Sequence, residues 1–379
     1  PPLGIEREFR YVESVAGLEA TAGREISSAA GPHRLLGGFE YTESRVVESR
    51  DGLQTDLETG ASTSVILGES LPVRDFPISR VRQAGVYAQD EWRPGDGHWS
   101  VIPALRLDGY WLSPEGDAMY AADNPSGPPV SIDEVSLSPK LGIARRVGED
   151  VTVYLQYAHG FRAPPFEDVN IGLDLPQFNV RAIPNPDLKP ERSDSLELGL
   201  RFQGTRLRGS ASAYASRYAD FIESRVNIGT DPDTGATLFQ SRNLASAEIR
   251  GIEASLEVEL GPIADSPARY TAYVSAGWTT GEDTARNEPI NSIDPPRGVV
   301  GLRYASASGR FGAGAELTVA GAKRDVDETA GPLYKPDGYS VLDLRLQWRL
   351  HPRVTANLGL FNVTDRRYYE WSAVRGRAP

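Results

Sequence analysis

The sequence predicts an all-β fold, an antiparallel transmembrane β-barrel, and three observations support it. Apolar and polar residues alternate in segment after segment, those segments are long, and the connections between them are alternately short and long. A run of 18 or more apolar residues, as a transmembrane helix needs, does not occur in the sequence. A barrel crosses a bilayer with alternating strands, so each strand is expected to have one apolar face.

The segment Leu342–Leu350 gives the clearest alternating pattern. Every second residue is leucine or tryptophan, and the residues between them are charged or polar. Successive side chains of a strand point to opposite faces, so this pattern indicates a strand with one apolar face. The same alternation is seen in Leu196–Phe202, Ile252–Leu260, Val151–Tyr157 and Phe311–Val319.

About fourteen segments are predicted to be strands, and most reach the roughly 9–11 residues that a tilted strand needs to cross a bilayer. They lie near 9–22, 34–48, 80–93, 98–112, 134–146, 150–160, 191–204, 206–224, 237–260, 268–282, 295–306, 311–324, 338–350 and 353–370.

The connections are predicted to differ between the two ends of the barrel. The short ones are 94–97, 147–149, 205, 261–267, 307–310 and 351–352, and the long ones are 49–79, 113–133, 161–190, 225–236, 283–294 and 325–337. One connection, 23–33, is expected to be long for the short-turn end. Short periplasmic turns and long extracellular loops are typical of barrels in the bacterial outer membrane, which is the predicted location.

Composition excludes several other classes of protein. The net charge of −12 argues against a nucleic-acid partner, which would need a clustered basic face. The chain has no cysteine and four histidines, and it carries no recognisable catalytic or phosphate-binding motif. The protein is therefore expected not to be an enzyme and to need no cofactor. The segment Thr230–Gly235 has the carboxylate spacing of a partial calcium loop without its distant Glu, and is predicted to be a turn.

Three stretches resemble TonB-dependent outer-membrane receptors. They are Tyr157–Pro165 followed by Asn185–Glu191, then Arg242–Ala254, and then Leu360–Tyr369, and their order and spacing match that family across nearly the whole chain. The resemblance implies a plug domain followed by a barrel of roughly 22 strands. Residues 1–379 would be a single domain, the C-terminal barrel portion with about fourteen strands, truncated at both ends, with the plug domain and the closing strand absent.

The resemblance also implies a function. The whole protein would take up an iron complex, with a ferric siderophore or haem as cargo. A TonB-type energy-coupling protein would act through the plug region, and the barrel would contact outer-membrane lipid and lipopolysaccharide. The alternatives are a passive porin-like or structural barrel, a receptor for another bulky nutrient such as cobalamin, and an outer-membrane enzyme such as a lipase.

The candidate site residues come from the first stretch. Phe161, Arg162, Ala163 and Pro164 resemble the FRAP box of the haem, haemoglobin and transferrin branch, and Asn185, Pro186, Asp187 and Leu188 resemble its NPNL box, with Asp187 in place of the second asparagine. Both boxes either bind ligand or anchor the long loop between them. Haem receptors of that branch place a histidine in this loop, and residues 165–184 contain none.

Two further groups of side chains are singled out. His159, beside the first box, is either an axial haem ligand or a structural histidine. Arginines and carboxylates on the polar strand faces are expected to line the lumen, bridge strands and hold a plug by bidentate pairs. These residues are Arg106, Arg201, Arg303, Arg345, Arg349, Asp108, Glu197, Glu257 and Asp343. Aromatic residues near predicted strand ends are expected at a membrane interface; they are Trp92, Trp99, Tyr110, Trp111, Tyr270, Trp278, Trp348, Tyr368, Tyr369 and Trp371.

Overall fold

The computed structural model describes residues 2–124, 128–261, 267–329 and 331–375. Fourteen long strands form its frame, and they are numbered here in chain order. They are β1 (Leu3–Ser28), β2 (Gly31–Asp56), β3 (Ile78–Trp92), β4 (Trp99–Glu115), β5 (Ile132–Val147), β6 (Val151–Arg162), β7 (Glu191–Gln203), β8 (Leu207–Thr230), β9 (Thr237–Leu260), β10 (Arg269–Asp283), β11 (Arg297–Ala305), β12 (Phe311–Ala320), β13 (Tyr339–His351) and β14 (Val354–Leu360).

Each long strand pairs antiparallel with the next one along the chain. The sheet is therefore an up-and-down arrangement, and the predicted all-β antiparallel fold is confirmed. Within the described ranges β1 pairs along its length with β2 alone and β14 with β13 alone, so the sheet is open.

Short elements gather at the end with the long connections, here called the loop end. They are the helices α1 (Ala118–Asp123), α2 (Phe166–Val169) and α3 (Trp371–Val374), a 3-10 turn at Pro176–Phe178, and short strands at Ser62–Thr63, Val65–Ile66, Glu69–Ser70, Leu173–Leu175, Val180–Ile183 and Glu288–Pro289. None of the helices within the described residues is long and apolar enough to cross a membrane.

Several predicted boundaries are wrong. The first strand begins at Leu3 rather than at 9, the second ends at Asp56 rather than at 48, and β8 ends at Thr230 rather than at 224. The last strand was expected to run to residue 370 but ends at Leu360. Asn362 has a left-handed φ of 50°, and its side chain accepts a hydrogen bond from the Arg366 N–H at 2.9 Å, which turns the backbone out of the strand. The connection predicted at 23–33 is a tight turn over 29–30, because β1 and β2 stay in register as far as the pair Ser28 and Gly31.

The two faces of the sheet differ as the alternation predicts. Leu196, Leu198 and Leu200 on β7 leave 51%, 55% and 44% of their surface exposed, although they are large and apolar. An apolar face of this extent is unfavourable in water and suits lipid. The opposite face carries guanidinium groups that bridge strands, as predicted; Arg303 on β11 donates to Glu257 on β9 at 2.8 Å.

Candidate functional site: the loop end of the sheet

The first predicted box begins where β6 ends. Phe161 still lies within the strand, opposite Arg192 of β7. Arg162 is half-exposed, and its guanidinium lies 3.6 Å from the Glu191 carboxylate at the start of β7. This ion pair joins the two stems of loop 163–190.

The second half of the box packs onto the neighbouring strands. Ala163 contacts a buried cluster of Val81, Tyr110 and Leu112 on β3 and β4. Pro164 is fully buried, and its carbonyl oxygen accepts a hydrogen bond of 3.4 Å from the Tyr110 hydroxyl. Tyr110, expected at a membrane interface, is thus part of the packing beneath the loop, and that prediction is wrong for this residue.

The second predicted box caps the other stem of the same loop. The Asn185 amide donates to the carbonyl oxygen of Ser241 on β9 at 2.8 Å, and its side-chain oxygen accepts the Asp187 N–H at 3.1 Å. Pro186 and Asp187 are exposed, whereas Leu188 is buried. The asparagine therefore ties the loop stem to the sheet.

Leu188 completes the packing of that stem. It belongs to a buried cluster with Val169 of α2 and Ile222 of β8. The two boxes, separated by about twenty residues of sequence, hold opposite stems of one loop against the sheet.

His159 lies on the apolar face of the sheet. It has the same parity on β6 as Leu155 and Tyr157, both of which are exposed on that face. Its Nδ1 atom is 3.0 Å from the carboxylate of Asp194, which also accepts the Tyr157 hydroxyl at 2.6 Å. The His159 ring is therefore bonded to Asp194 on the apolar face, on the opposite side of the sheet from the polar face.

Sequence reasoning missed a small hairpin within loop 163–190. Its second strand, Val180–Ile183, adds to β9 in parallel over residues 237–240, the only parallel pairing in the described part of the sheet. Arg181 of this strand contacts Asp231 at 2.8 Å and Asp174 at 3.3 Å. The strand Val180–Ile183 has only four residues, too few for an alternating pattern to identify it from the sequence.

The turn predicted at Thr230–Gly235 is confirmed. The Asp231 carboxylate accepts the backbone N–H groups of Asp233 and Thr234 at 2.9 and 3.1 Å, and its partner Arg181 holds it against the hairpin. These hydrogen bonds hold the pKa of the Asp231 carboxyl below its usual range. Within the described residues no cluster of acidic and histidine side chains is arranged to hold a metal ion.

The Asp231 turn is expected to loosen in acid. A carboxyl group with a lowered pKa in the folded state stabilises that state above the unfolded-state pKa of about 3.9, and this stabilisation is lost as the pH falls through the folded-state pKa. Hydrogen exchange at 231–236 and 180–183, corrected for its intrinsic pH dependence, should rise below about pH 4. Asp231→Asn should abolish that pH dependence, and an unchanged profile in the variant would contradict the assignment.

A buried ion cluster holds loop 57–77 onto β2, and the sequence pattern did not reveal it. Arg50 of β2 lies 2.6 Å from Glu69 and 2.7 Å from Asp75, and all three side chains are largely buried. Burial raises the pKa of the Asp75 carboxyl, and its bonds to Arg50 oppose that shift. The residue before Asp75, Arg74, lies 3.0 Å from Asp117, which precedes α1, so the cluster joins two loops.

The segment after β14 is anchored by Trp371 of α3. Trp371 is only 2% exposed, and its indole N–H donates to the Asn291 carbonyl oxygen at 2.7 Å. The Lys323 ammonium lies 5.3 Å from the centre of the Trp371 ring and donates to the Ile293 carbonyl oxygen at 2.8 Å. Burial lowers the pKa of Lys323. Trp371, expected at a membrane interface, instead joins loops 284–296 and 321–338, so that prediction is wrong.

A cavity of about 810 Å³, here called the mouth cavity, opens between these loops. Its lining comes from β6, β8, β9, the three loops 163–190, 284–296 and 321–338, and Arg375. Of the predicted site residues, only Arg162 lines it. Its volume lies within the range of roughly 300–1,000 Å³ that is usual for small-molecule sites.

The β8 wall of the mouth cavity is irregular. The register with β9 shifts between Glu223 and Val226, and Arg225 adopts a left-handed φ of 52°. A side chain other than glycine in this conformation costs on the order of 1–3 kcal/mol, and such residues concentrate at functional sites. No glycine or asparagine stands at this position to signal the irregularity in the sequence.

A buried carboxylate holds the bulge in place. Asp168 of α2 is 3% exposed and accepts the hydroxyl groups of Ser224 at 2.8 Å and Ser241 at 2.9 Å. The Ser241 hydroxyl oxygen in turn accepts the Arg225 N–H at 3.1 Å. The strained backbone is thus fixed by hydrogen bonds from both neighbouring elements.

Comparison with known families gives one match along most of the chain. Residues 6–363 match the family model described as "TonB dependent receptor-like, beta-barrel". One curated relative is the "Probable hemoglobin and hemoglobin-haptoglobin-binding protein 4" of Haemophilus influenzae, which is 27% identical over 60% of this chain and 24% of that protein. Another is the "Hemoglobin-haptoglobin utilization protein B" of Neisseria meningitidis, which is 26% identical over 62% of this chain and 32% of that protein. The chain spans about a quarter to a third of their length.

Solved structures share the fold at low sequence identity. The copper transporter OprC superposes with a TM-score of 0.71 and 18% identity, over 96% of this chain and 52% of that one. The Serratia marcescens hemophore receptor HasR, solved with its hemophore HasA and heme, gives 0.69 and 18%, over 95% and 57%.

Proposed function

Because this chain belongs to the TonB-dependent receptor-like β-barrel family, we propose that it is the barrel portion of an outer-membrane receptor that takes up an iron complex. The resemblance predicted from three sequence stretches is confirmed by this match, and the family places the chain in the outer membrane. The apolar face of the strands would then contact lipid and lipopolysaccharide, and the polar face would line the lumen.

The observation that carries the proposal is the mouth cavity. It lies at the loop end, which is the extracellular end of such barrels, and its 810 Å³ suits a haem or a ferric siderophore. The two curated relatives are named for hemoglobin and haptoglobin binding or utilization, which favours haem iron as the source. Neither name refers to an enzymatic activity.

We also propose that the two predicted boxes act as loop anchors. Pro164 and Leu188 are buried in the packing beneath loop 163–190, and Asn185 bonds to the β9 backbone. Arg162 is the exception, because it reaches the mouth cavity as well as Glu191.

Growth and fractionation of a deletion strain test the function. The full-length protein should be found in the outer-membrane fraction and should restore growth on haemin or a ferric siderophore as sole iron source. Growth should require an intact TonB-type coupling protein. Growth without that coupling protein would favour a passive pore, and absence from the outer membrane would contradict the proposal altogether.

His159 gives a sharper test of how haem would be held. Because its ring faces the apolar side and pairs with Asp194, the geometry favours a structural role over axial ligation. His159→Ala is expected to leave haemin-dependent growth and the haem absorption spectrum within about twofold of the wild type. Loss of haem binding in this variant, with normal outer-membrane levels, would show that His159 is a ligand after all.

A further inference from the structure

We propose that Arg225 is a ligand-binding residue of the mouth cavity and that it recognises a carboxylate group of the cargo. The inference rests on the proposed function, and it names the chemical group that the cavity selects. Two kinds of iron complex carry such a group: haem, through its propionates, and ferric chelates built on carboxylates.

The mouth cavity presents charged groups of both signs to a ligand. Four arginines and four carboxylates line it, so the formal charge of the lining is zero. They are Arg162, Arg225, Arg242 and Arg375, and Glu167, Asp168, Glu223 and Asp327.

Three of the four carboxylates are bonded to protein groups. Asp168 is buried and accepts two hydroxyl groups, and Glu223 pairs with Arg242 at 3.1 Å. Asp327 accepts both the N–H and the hydroxyl of Thr329. Arg162 and Arg242 are paired in the same way, with Glu191 and Glu223, which leaves Arg225 and Arg375 as the cavity arginines that have no carboxylate within 3.6 Å among the described residues.

The backbone conformation of β8 places the Arg225 side chain in the wall of the mouth cavity. Its side chain is 54% exposed in the cavity wall, and its nearest carboxylate, Glu167, is 3.9 Å away, too far for a hydrogen bond. A guanidinium binds a carboxylate through two parallel N–H···O bonds, and a ligand can offer this geometry where Glu167 does not.

The β-bulge at Arg225 also supports a binding role for this side chain. A β-bulge re-aims a side chain, and strain at a left-handed residue persists only where the surroundings fix it. The Asp168 network does this through Ser224 and Ser241, which makes Asp168 a positioning residue. A purely structural arginine would not need a left-handed backbone, since asparagine or glycine adopts it at lower cost.

The test uses the full-length receptor in detergent and three probes: haemin, haemin dimethyl ester and ferric citrate. Arg225→Gln is expected to weaken binding of haemin or of ferric citrate by about tenfold or more, as loss of a charged hydrogen-bonding partner does. If haemin responds, esterification should weaken wild-type binding by a similar factor and should have little further effect in the variant. The probe that responds identifies the source of the carboxylate.

Two further variants keep the result interpretable. Arg217→Gln, on the same strand, removes an 82% exposed arginine that does not line the cavity, and it should bind like the wild type. Arg225→Asn should lose binding as Arg225→Gln does, yet unfold at a higher temperature than Arg225→Gln, because asparagine tolerates the left-handed backbone.

The outcomes separate this inference from the proposed function. If the wild type takes up iron complexes but Arg225→Gln binds haemin and ferric citrate as tightly as the wild type, the inference is wrong and the function stands. Equal loss of haemin and of the dimethyl ester would also overturn carboxylate recognition. If the wild type supports uptake of no iron complex, the proposed function fails first.

Discussion

Arg50→Ala is expected to destabilise loop 57–77 by about 3–5 kcal/mol, because it leaves the buried carboxylates of Glu69 and Asp75 without a partner. The loss should be local, since the paired strands β1 and β2 do not depend on this side chain for their hydrogen bonds. Hydrogen exchange of residues 57–77 in the full-length protein measures it directly.

A surface arginine provides the matched control for this change. Arg80 lies 3.6 Å from Glu43, and 45% and 35% of the two side chains are exposed, so Arg80→Ala should change stability by less than about 1 kcal/mol. Arg50→Met, which keeps much of the volume, should still be strongly destabilising. Protection of loop 57–77 at wild-type levels in both Arg50 variants would show that the ion cluster does not hold the loop.

Trp371→Ala is expected to release the segment after β14 and cost about 3–5 kcal/mol, the usual range for a buried tryptophan. The change also leaves the Asn291 carbonyl oxygen without its donor and removes the ring beneath Lys323. Exchange should therefore rise in loops 284–296 and 321–338 together.

Two variants define the cause of that effect. Trp371→Phe keeps most of the buried apolar surface and loses only the indole donor, so its effect should be smaller, about 1–3 kcal/mol. Trp278→Ala removes an exposed indole from the apolar face and should leave exchange in both loops unchanged. If only one of the two loops responds to Trp371→Ala, the tryptophan does not join them.

The strands were predictable because alternation reports directly which face each residue occupies. Leu196, Leu198 and Leu200 on one face and Glu197 and Arg201 on the other identify β7 without any tertiary information. The end of β14 was not predictable from the sequence. Apolar and polar residues continue to Tyr369, whereas a turn at Asn362 ends the strand.

The loop end was harder to predict, because its interactions join residues that are distant in sequence. Arg50 resembles any polar residue of an alternating strand, and its partners Glu69 and Asp75 lie 19 and 25 positions later, in a loop. The two boxes identified the stems of the main loop correctly, yet the cavity beside them is lined largely by residues that carry no motif. The left-handed Arg225 is one of these, since nothing in its neighbours marks a bulge.

The 26-residue length of β1 and β2 separates the mouth from the charge of the membrane surface. At the usual tilt a strand of this length spans roughly 60 Å along the membrane normal, about twice the thickness of the hydrocarbon core, so the loop end of β1 and β2 stands above the outer leaflet. The Debye length in physiological saline is about 8 Å, so phosphate groups of the outer leaflet are screened before their field reaches that height. Capture of an anionic iron complex at this height is consequently governed by the protein's own charged groups, and replacing charged lipids with neutral ones should change the association rate little.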